Sequence, residues 1–278
     1  MSDIRRACVI GWPAGHSRSP LIHNYWIRQH GLSGEYRQEA VPPERFAEFV
    51  RHLAQHGYVG ANVTIPHKEA ALALSQPDAR ASAVGAANTL WLADGALKST
   101  NTDVEGFLAN LDHSAPDWSR TGEALVLGAG GSARAVVFGL VERGIARVYV
   151  ANRTIERAQA LRERFGDKVH PVAWDAIPAR MAGAGLLVNT TSLGMTGQPP
   201  LEIDLAPLSA GAVVADLVYV PLRTALLRAA DARSLATADG LGMLLHQAVR
   251  GFSLWFGVTP AVTSELRALV EADLLARS

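Results

Sequence analysis

Residues 124–140 read ALVLGAGGSARAVVFGL, and the turn in the middle of this stretch sets the class of fold. Glu123–Leu127 reads as a strand, and from Ala124 it is an uninterrupted apolar run of the kind that parallel sheets bury on both faces. Gly128-Ala129-Gly130-Gly131 follows, and from Ser132 onward the composition is helical. The glycine spacing is GxGxxA, with Ala133 in the third position. Gly128 permits the tight turn, Gly130 lets backbone approach a pyrophosphate, and Ala133 is small enough for close helix–strand packing. The N-terminus of such a helix favours negative charge. A glycine-rich turn between strand and helix also occurs for purely structural reasons, so its surroundings must decide.

Those surroundings are the ones a dinucleotide site needs. A helix over Ser132–Arg143 leads to a second strand, Arg147–Ala151, which completes a βαβ unit. The residues at the end of that strand bear on which dinucleotide is bound. NAD-binding versions place an acidic residue about 20 positions beyond the glycines, where it accepts bonds from ribose hydroxyls. Here residues 150–157 read VANRTIER, with no acid at the strand end. Asn152, Arg153 and Thr154 offer a cation and neutral hydrogen-bonding groups, and Arg157 follows one helical turn later. A carboxylate there repels a 2′-phosphate, whereas a guanidinium pairs with it in a fork. The expected cofactor is NADP.

Strand-like runs alternate with helix-length segments through most of the chain. Ahead of the nucleotide turn the order is strand Ala7–Ile10, helix Pro20–His30, strand Glu35–Val41, helix Arg45–His56 and strand Tyr58–Thr64. Beyond it come helix Ile155–Phe165, strands Leu186–Thr190 and Ala212–Leu217, and two long helical segments, Leu241–Phe256 and Pro260–Ala276. This rhythm calls for mostly parallel sheets covered by helices, an α/β fold. The turn-rich stretch Asp112–Gly122 separates two lobes. The expected organisation is an N-terminal α/β substrate domain over residues 1–111, a Rossmann-type NADP-binding domain over 112–239, and C-terminal helices over 240–278. No strand follows those helices, so they pack back on existing layers.

Composition narrows the function further. The 278 residues are 49% apolar and 19% charged, with 26 basic and 26 acidic side chains and no net charge. That length allows two ordinary domains or one large one, and the charge balance leaves no footprint for nucleic acid. Cys8 is the one cysteine, lies in an apolar run and has no internal disulfide partner. No apolar stretch reaches the roughly 18 residues of a membrane span. The short apolar run after Arg5-Arg6 breaks at Gly11-Trp12-Pro13, unlike a signal peptide. A soluble cytoplasmic protein with small-molecule ligands is expected, as a monomer or homodimer. The nine histidines show no zinc-type spacing with cysteine and no HExxH, so no metal is expected.

Three polar clusters punctuate the first half. GHSRSP (15–20) carries Ser17 and Ser19 beyond the first strand, and NVTIPHK (62–68) carries Thr64 and Lys68 beyond the third. GAANTL (85–90) and STNTDVEGF (99–107) carry Asn88 and Asp103. Ligands of open α/β sheets bind beyond the carboxyl ends of strands, where the first two clusters fall. Plainer readings exist for each. Ser19 before Pro20 can be a helix N-cap, Asp103 can cap the next helix, and Lys68 can be a solvated surface charge. Pro66 suits the first turn of a helix that Lys68 continues. Yet Lys68 is one of only three lysines in a chain whose other 23 basic residues are arginine.

In order along essentially the whole chain, HSRSP, NVTIPHK, GAANT, NTDVEGF, LGAGGSARA, NRT, NTTSLGM, DLVYVPLRTALL and GMLLHQAVRGFSLWFG resemble the motifs of the shikimate dehydrogenase family. The resemblance implies NADPH-dependent reduction of 3-dehydroshikimate to shikimate. It implies that Ser17 and Ser19 hold the substrate carboxylate with Tyr219 nearby. Thr64, Lys68, Asn88, Asp103 and Gln247 then surround the ring hydroxyls. On the cofactor side it points to Gly128, Ala129, Gly130, Gly131, Ser132 and Ala133, to Asn152, Arg153, Thr154 and Arg157, and to Leu217 and Gly240. It also implies that Leu241–Ser278 returns to the first domain. As negative charge develops on the substrate oxygen, an ammonium on Lys68 can stabilise it and deliver the proton, with Asp103 fixing the geometry. His16 and His67 flank these groups and are read as packing or hydrogen-bonding residues. A quinate or dual-specificity dehydrogenase, and a catalytically silent NADP-sensing protein, are the alternatives.

Overall fold

Every run read above as a strand lies in one of two six-stranded sheets. The computed structural model describes residues 4–277. The chain divides into two compact units, one holding the residues up to Thr102 together with Gln247–Ala272, the other holding Asp103–His246 and the last few residues. The first contains β1 (Arg5–Gly11), α1 (Ser19–Gln29), β2 (Gly34–Ala40), α2 (Pro43–Arg51), β3 (Tyr58–Val63), α3 (Lys68–Ala73), β4 (Gln76–Pro77), α4 (Ala79–Val84), β5 (Thr89–Ala93) and β6 (Ala96–Thr100). Next come α5 (Thr102–Ser114), β7 (Glu123–Leu127), α6 (Gly131–Glu142), β8 (Arg147–Ala151), α7 (Ile155–Phe165) and β9 (Val169–Val172). The remaining elements are α8 (Ile177–Met181), β10 (Leu186–Asn189), β11 (Val213–Asp216), α9 (Ala225–Ala232), β12 (Ala236–Ala238), α10 (Gly240–Phe256) and α11 (Ser264–Ala276). The division between units falls inside α5 and α10. The sequence reading sets it at 112 and 240, because turn residues punctuate a chain where a continuous helix does not.

The first sheet has the order β2-β1-β3-β5-β6-β4. β1 pairs in parallel with β2 and β3, while β5 runs antiparallel to both β3 and β6. The β5–β6 hairpin is absent from the sequence reading, although its signal is present. Asp94 and Gly95 join the strands with φ of 54° and 73°, the backbone of a tight two-residue hairpin turn. Two other differences are local. α2 ends at Arg51 rather than His56, with turns carrying the chain to β3. Pro66 lies outside α3: the Thr64 N–H donates to the Ile10 carbonyl at 2.9 Å and the His67 N–H to that of Thr64 at 3.0 Å, and the helix begins only afterwards.

The second half of α10 belongs to this unit and packs on the sheet. The Trp255 indole N–H donates to the Leu90 carbonyl at 2.8 Å. A Cβ on Gly60 would stand 2.1 Å from the same indole nitrogen, so β3 needs glycine where the ring lies on it. Around Trp255 sits an aromatic cluster of Trp26, Tyr36 and Phe252 with His23 at its centre. His23 stacks on Tyr36 at 4.1 Å between ring centroids and is fully buried. Ser278, the end of the expected C-terminal segment, is outside the described residues.

Burial lowers the His23 pKa to about 3, because a charged imidazole there loses its water. The unfolded chain therefore binds a proton that the folded chain refuses between about pH 6.5 and 3. Stability is full above that window and falls as the pH drops into it, by about 1.4 kcal/mol per pH unit for one such group. His67 and His246, also lowered by burial, act in the same sense, while Asp216, raised by burial, opposes them. Denaturant midpoints should be clearly lower at pH 4.5 than at pH 6.5, and His23→Phe should flatten that dependence. An equal slope in the variant would remove His23 from the account.

The second sheet is parallel throughout, in the order β12-β11-β10-β7-β8-β9. Numbered from β7, that is strand order 3-2-1-4-5-6 read from the β9 edge, the doubly wound arrangement of dinucleotide-binding domains. Its core is aliphatic, with Leu125, Leu127, Leu187 and Val214 fully buried. β9 and β12 are short edge strands that the sequence reading does not contain. Among the described residues, no helix is long and apolar enough to cross a membrane.

Candidate active site

In each sheet the chain reverses its direction of winding at one place, the position at which open α/β sheets bind their ligands. In the first sheet this lies between β1 and β3. The loop after β1 carries Ser17 and Ser19, and the loop after β3 carries Thr64 and Lys68. The two loops interlock: the Trp12 N–H donates to the Ile65 carbonyl at 3.0 Å, and a Cβ on Gly11 would stand 2.5 Å from the Thr64 methyl. Ser19 is the first residue of α1 rather than its N-cap, and its N–H donates to Ser17 Oγ at 3.3 Å. Ser19 is buried; Ser17, Thr64 and Lys68 are half-buried. Lys68 opens α3, and its carbonyl accepts the Ala87 N–H at 2.9 Å, tying it to the GAANT segment. His67, beside it, is a packing residue: it stacks on Phe46 at 4.2 Å with its Nε2 2.7 Å from the Val41 carbonyl.

Asn88 and Gln247, far apart in sequence, meet through one residue. The Thr102 N–H donates to Asn88 Oδ1 at 2.7 Å, and the Thr102 hydroxyl reaches Gln247 Oε1 at 3.4 Å. Both amides are buried. Asp103 and Tyr219 belong to the second unit. Asp103 lies in the first turn of α5, where the helix favours a negative charge. Tyr219 follows β11 in a loop pinned by Asp216. That buried carboxylate accepts bonds from Asn189 Nδ2 at 2.9 Å, the Val218 N–H at 3.0 Å and the Thr224 hydroxyl at 2.6 Å.

In the second sheet the reversal lies between β7 and β10. Gly128 has φ of 102°, and a Cβ on it would stand 2.7 Å from Thr190 Oγ1. No side chain caps α6, and nothing lies within 4 Å of where a Cβ would stand on Gly130 or Gly131. A pyrophosphate thus has both room and backbone donors, with Ala129, Ser132 and Ala133 completing the turn. Ala133 is fully buried against the sheet, as its close packing requires. Beyond β8, Arg153, Thr154 and Arg157 are exposed, and Asn152 Nδ2 donates to the Thr154 carbonyl at 2.7 Å, which shapes the loop. Leu217 and Gly240 meet: a Cβ on Gly240 would stand 2.3 Å from the Leu217 carbonyl oxygen. The residues present fit an NADP molecule.

Three family models match the chain in order. They are the shikimate dehydrogenase substrate-binding domain over residues 9–90, shikimate/quinate 5-dehydrogenase over 111–195, and the shikimate 5′-dehydrogenase C-terminal domain over 240–269. The NADP(+) shikimate dehydrogenase of Rhodopseudomonas palustris strain TIE-1 is 72% identical over 270 residues, 97% of each chain. The chain belongs to the shikimate dehydrogenase family. Among solved structures, the shikimate 5-dehydrogenase of Thermus thermophilus in complex with NADP(H) and shikimate matches with a TM-score of 0.83. That pair is 35% identical over 98% of this chain and 99% of the other. The quinate dehydrogenase of Corynebacterium glutamicum in complex with NAD matches at TM-score 0.90 and 31% identity, over 98% and 100%.

In this member of the shikimate dehydrogenase family Trp12, in the loop after β1, is 49% exposed. Sequence reasoning passed over several buried, hydrogen-bonded polar residues: Tyr36, Asn62, Thr89 and Thr102 in the first unit, Asn189, Asp216 and Thr224 in the second. Asn62 and Asn189 were the available signal, since each is an amide placed in an otherwise apolar strand.

Proposed function

We propose that the protein catalyses the reversible NADPH-dependent reduction of 3-dehydroshikimate to shikimate, a step toward chorismate and the aromatic amino acids. The observation that carries this reading is that Ser17, Ser19, Thr64 and Lys68 lie in the segments that follow β1 and β3, the two strands where the first sheet reverses its winding, in a chain whose second sheet carries a glycine turn. Hydroxyls of Ser17 and Ser19 hold the substrate carboxylate, with Tyr219 assisting. Thr64, Asn88, Asp103 and Gln247 hold the ring hydroxyls and so fix which carbon faces the cofactor. The backbone of Gly128–Ala133 holds the pyrophosphate, Asn152–Arg157 the 2′-phosphate, and Leu217 and Gly240 the nicotinamide end. When bound, the reduced nicotinamide supplies the hydride.

Lys68 serves the carbonyl oxygen. Its ammonium stabilises the negative charge that develops there and gives up a proton from Nζ, and in the reverse direction the amine takes it back. Asp103 accepts a bond from a substrate hydroxyl and holds the ring in register. The test is NADPH absorbance with 3-dehydroshikimate as the only added substrate: its loss, with shikimate as product, supports the reading, and a steady signal at saturating substrate rejects it.

A further inference from the structure

A buried chain of polar side chains in the first unit ends on Asn88 and Gln247, two of the residues read above as holding the ring hydroxyls. The Tyr36 hydroxyl donates to Asn62 Oδ1 at 2.6 Å. Asn62 Nδ2 donates to the Asn88 carbonyl at 3.3 Å and to Thr89 Oγ1 at 3.2 Å. Thr89 Oγ1 lies 3.1 Å from both Asn88 Oδ1 and Thr102 Oγ1, and Thr102 continues to Asn88 and Gln247. We propose that Tyr36 is a positioning residue for the substrate site, fixing the Asn88 side-chain amide through Asn62 and Thr89. This rests on Asn88 holding substrate, as read above.

The direction of every link follows from donor chemistry. A backbone N–H can only donate, so the Asn88 atom 2.7 Å from the Thr102 N–H is the amide oxygen. A carbonyl can only accept, so the Asn62 atom facing the Asn88 carbonyl is nitrogen, and the atom facing Tyr36 is oxygen. The Tyr36 hydroxyl must therefore donate. Burial keeps it protonated, pushing the phenol well above its usual range, with Cys8 adding to the shift and a hydrogen bond from Ser19 opposing it. Thr89, having accepted from Asn62, has one proton, which goes to Asn88 or to Thr102. Either choice ends on Asn88 or Gln247.

One consequence follows for the ligand. The Asn88 oxygen already accepts from the Thr102 N–H, with the hydroxyls of Thr89 and Thr102 both 3.1 Å away, so what Asn88 offers a ligand is its amide donor, which selects an oxygen with a lone pair. Tyr36 itself is buried at the far end of this chain from Asn88. Its ring is locked against His23, which holds the hydroxyl in place.

Tyr36→Phe keeps the stacked ring and removes the first donor. Its KM for shikimate should rise about five- to tenfold, the loss of one buried hydrogen bond, while its KM for NADP stays within about twofold of the parent. Thr89→Val, which removes the hydroxyl at similar volume, should do the same and stands in if Tyr36→Phe folds poorly. Because the links act as one unit, the double variant should fall short of the product of the two single effects. Parental KM values in both single variants, an equal rise in both KM values, or a multiplicative double variant would each overturn the proposal. Asn88→Ala tests the underlying reading by itself: an unchanged shikimate KM there would show that Asn88 does not hold substrate.

Discussion

Lys68→Ala should lower turnover by about a hundred- to ten-thousand-fold, the range expected for losing a group that transfers a proton in the transition state. Affinity for shikimate should change far less, since Ser17, Ser19, Asn88 and Gln247 are untouched. Lys68 is the first residue of α3 and only half-buried, so shortening its side chain leaves the buried core of the unit intact. The measurement is kcat and KM in both directions, with a melting curve to confirm folding. A variant that keeps near-parental kcat would return Lys68 to the status of a surface charge.

Arg153→Ala should reverse much of the cofactor preference. Arg153 is exposed just past β8, where no carboxylate stands, and a 2′-phosphate carries roughly −1.5 to −2 charge near neutral pH by analogy with other phosphate monoesters. A charge-assisted hydrogen bond is worth about 1.5–3 kcal/mol, or roughly ten- to a hundredfold in affinity. NAD has no phosphate at that position and loses nothing when the guanidinium goes. The variant should therefore weaken NADP by roughly that factor and leave NAD close to the parental value. Equal losses for both cofactors would show that this arginine does not read the phosphate.

What the sequence disclosed followed how local each signal is. The strand, turn and helix around Gly128 were legible because the alternation of apolar run, glycines and helix former is complete within seventeen residues, and β7, β8 and α7 have the boundaries the pattern implies. The placing of Lys68 was legible for the same reason, since it follows a strand directly. Edge elements were not: β12 is three residues long and β9 contains Pro171, so neither presents a periodic pattern. The support beneath the substrate site was hidden by distance along the chain. Tyr36 and Asn62 are 26 positions apart, and Thr102 and Gln247 are 145 apart, so no spacing rule joins them. Asn62 is in the sequence only a polar residue inside an apolar strand, which says that a partner exists without naming it.

The central claim is that one chain joins a shikimate-type substrate site to an NADP-type cofactor site. Its most direct test is the crossed comparison of kcat/KM for shikimate and quinate, each with NADP and with NAD, on the full chain. The arginine past β8 predicts that NADP exceeds NAD by at least about tenfold, the factor that one charge-assisted contact supplies, and membership of the shikimate dehydrogenase family predicts that shikimate exceeds quinate. Efficiency highest with quinate or with NAD, or no turnover of either substrate with either cofactor, would contradict the account.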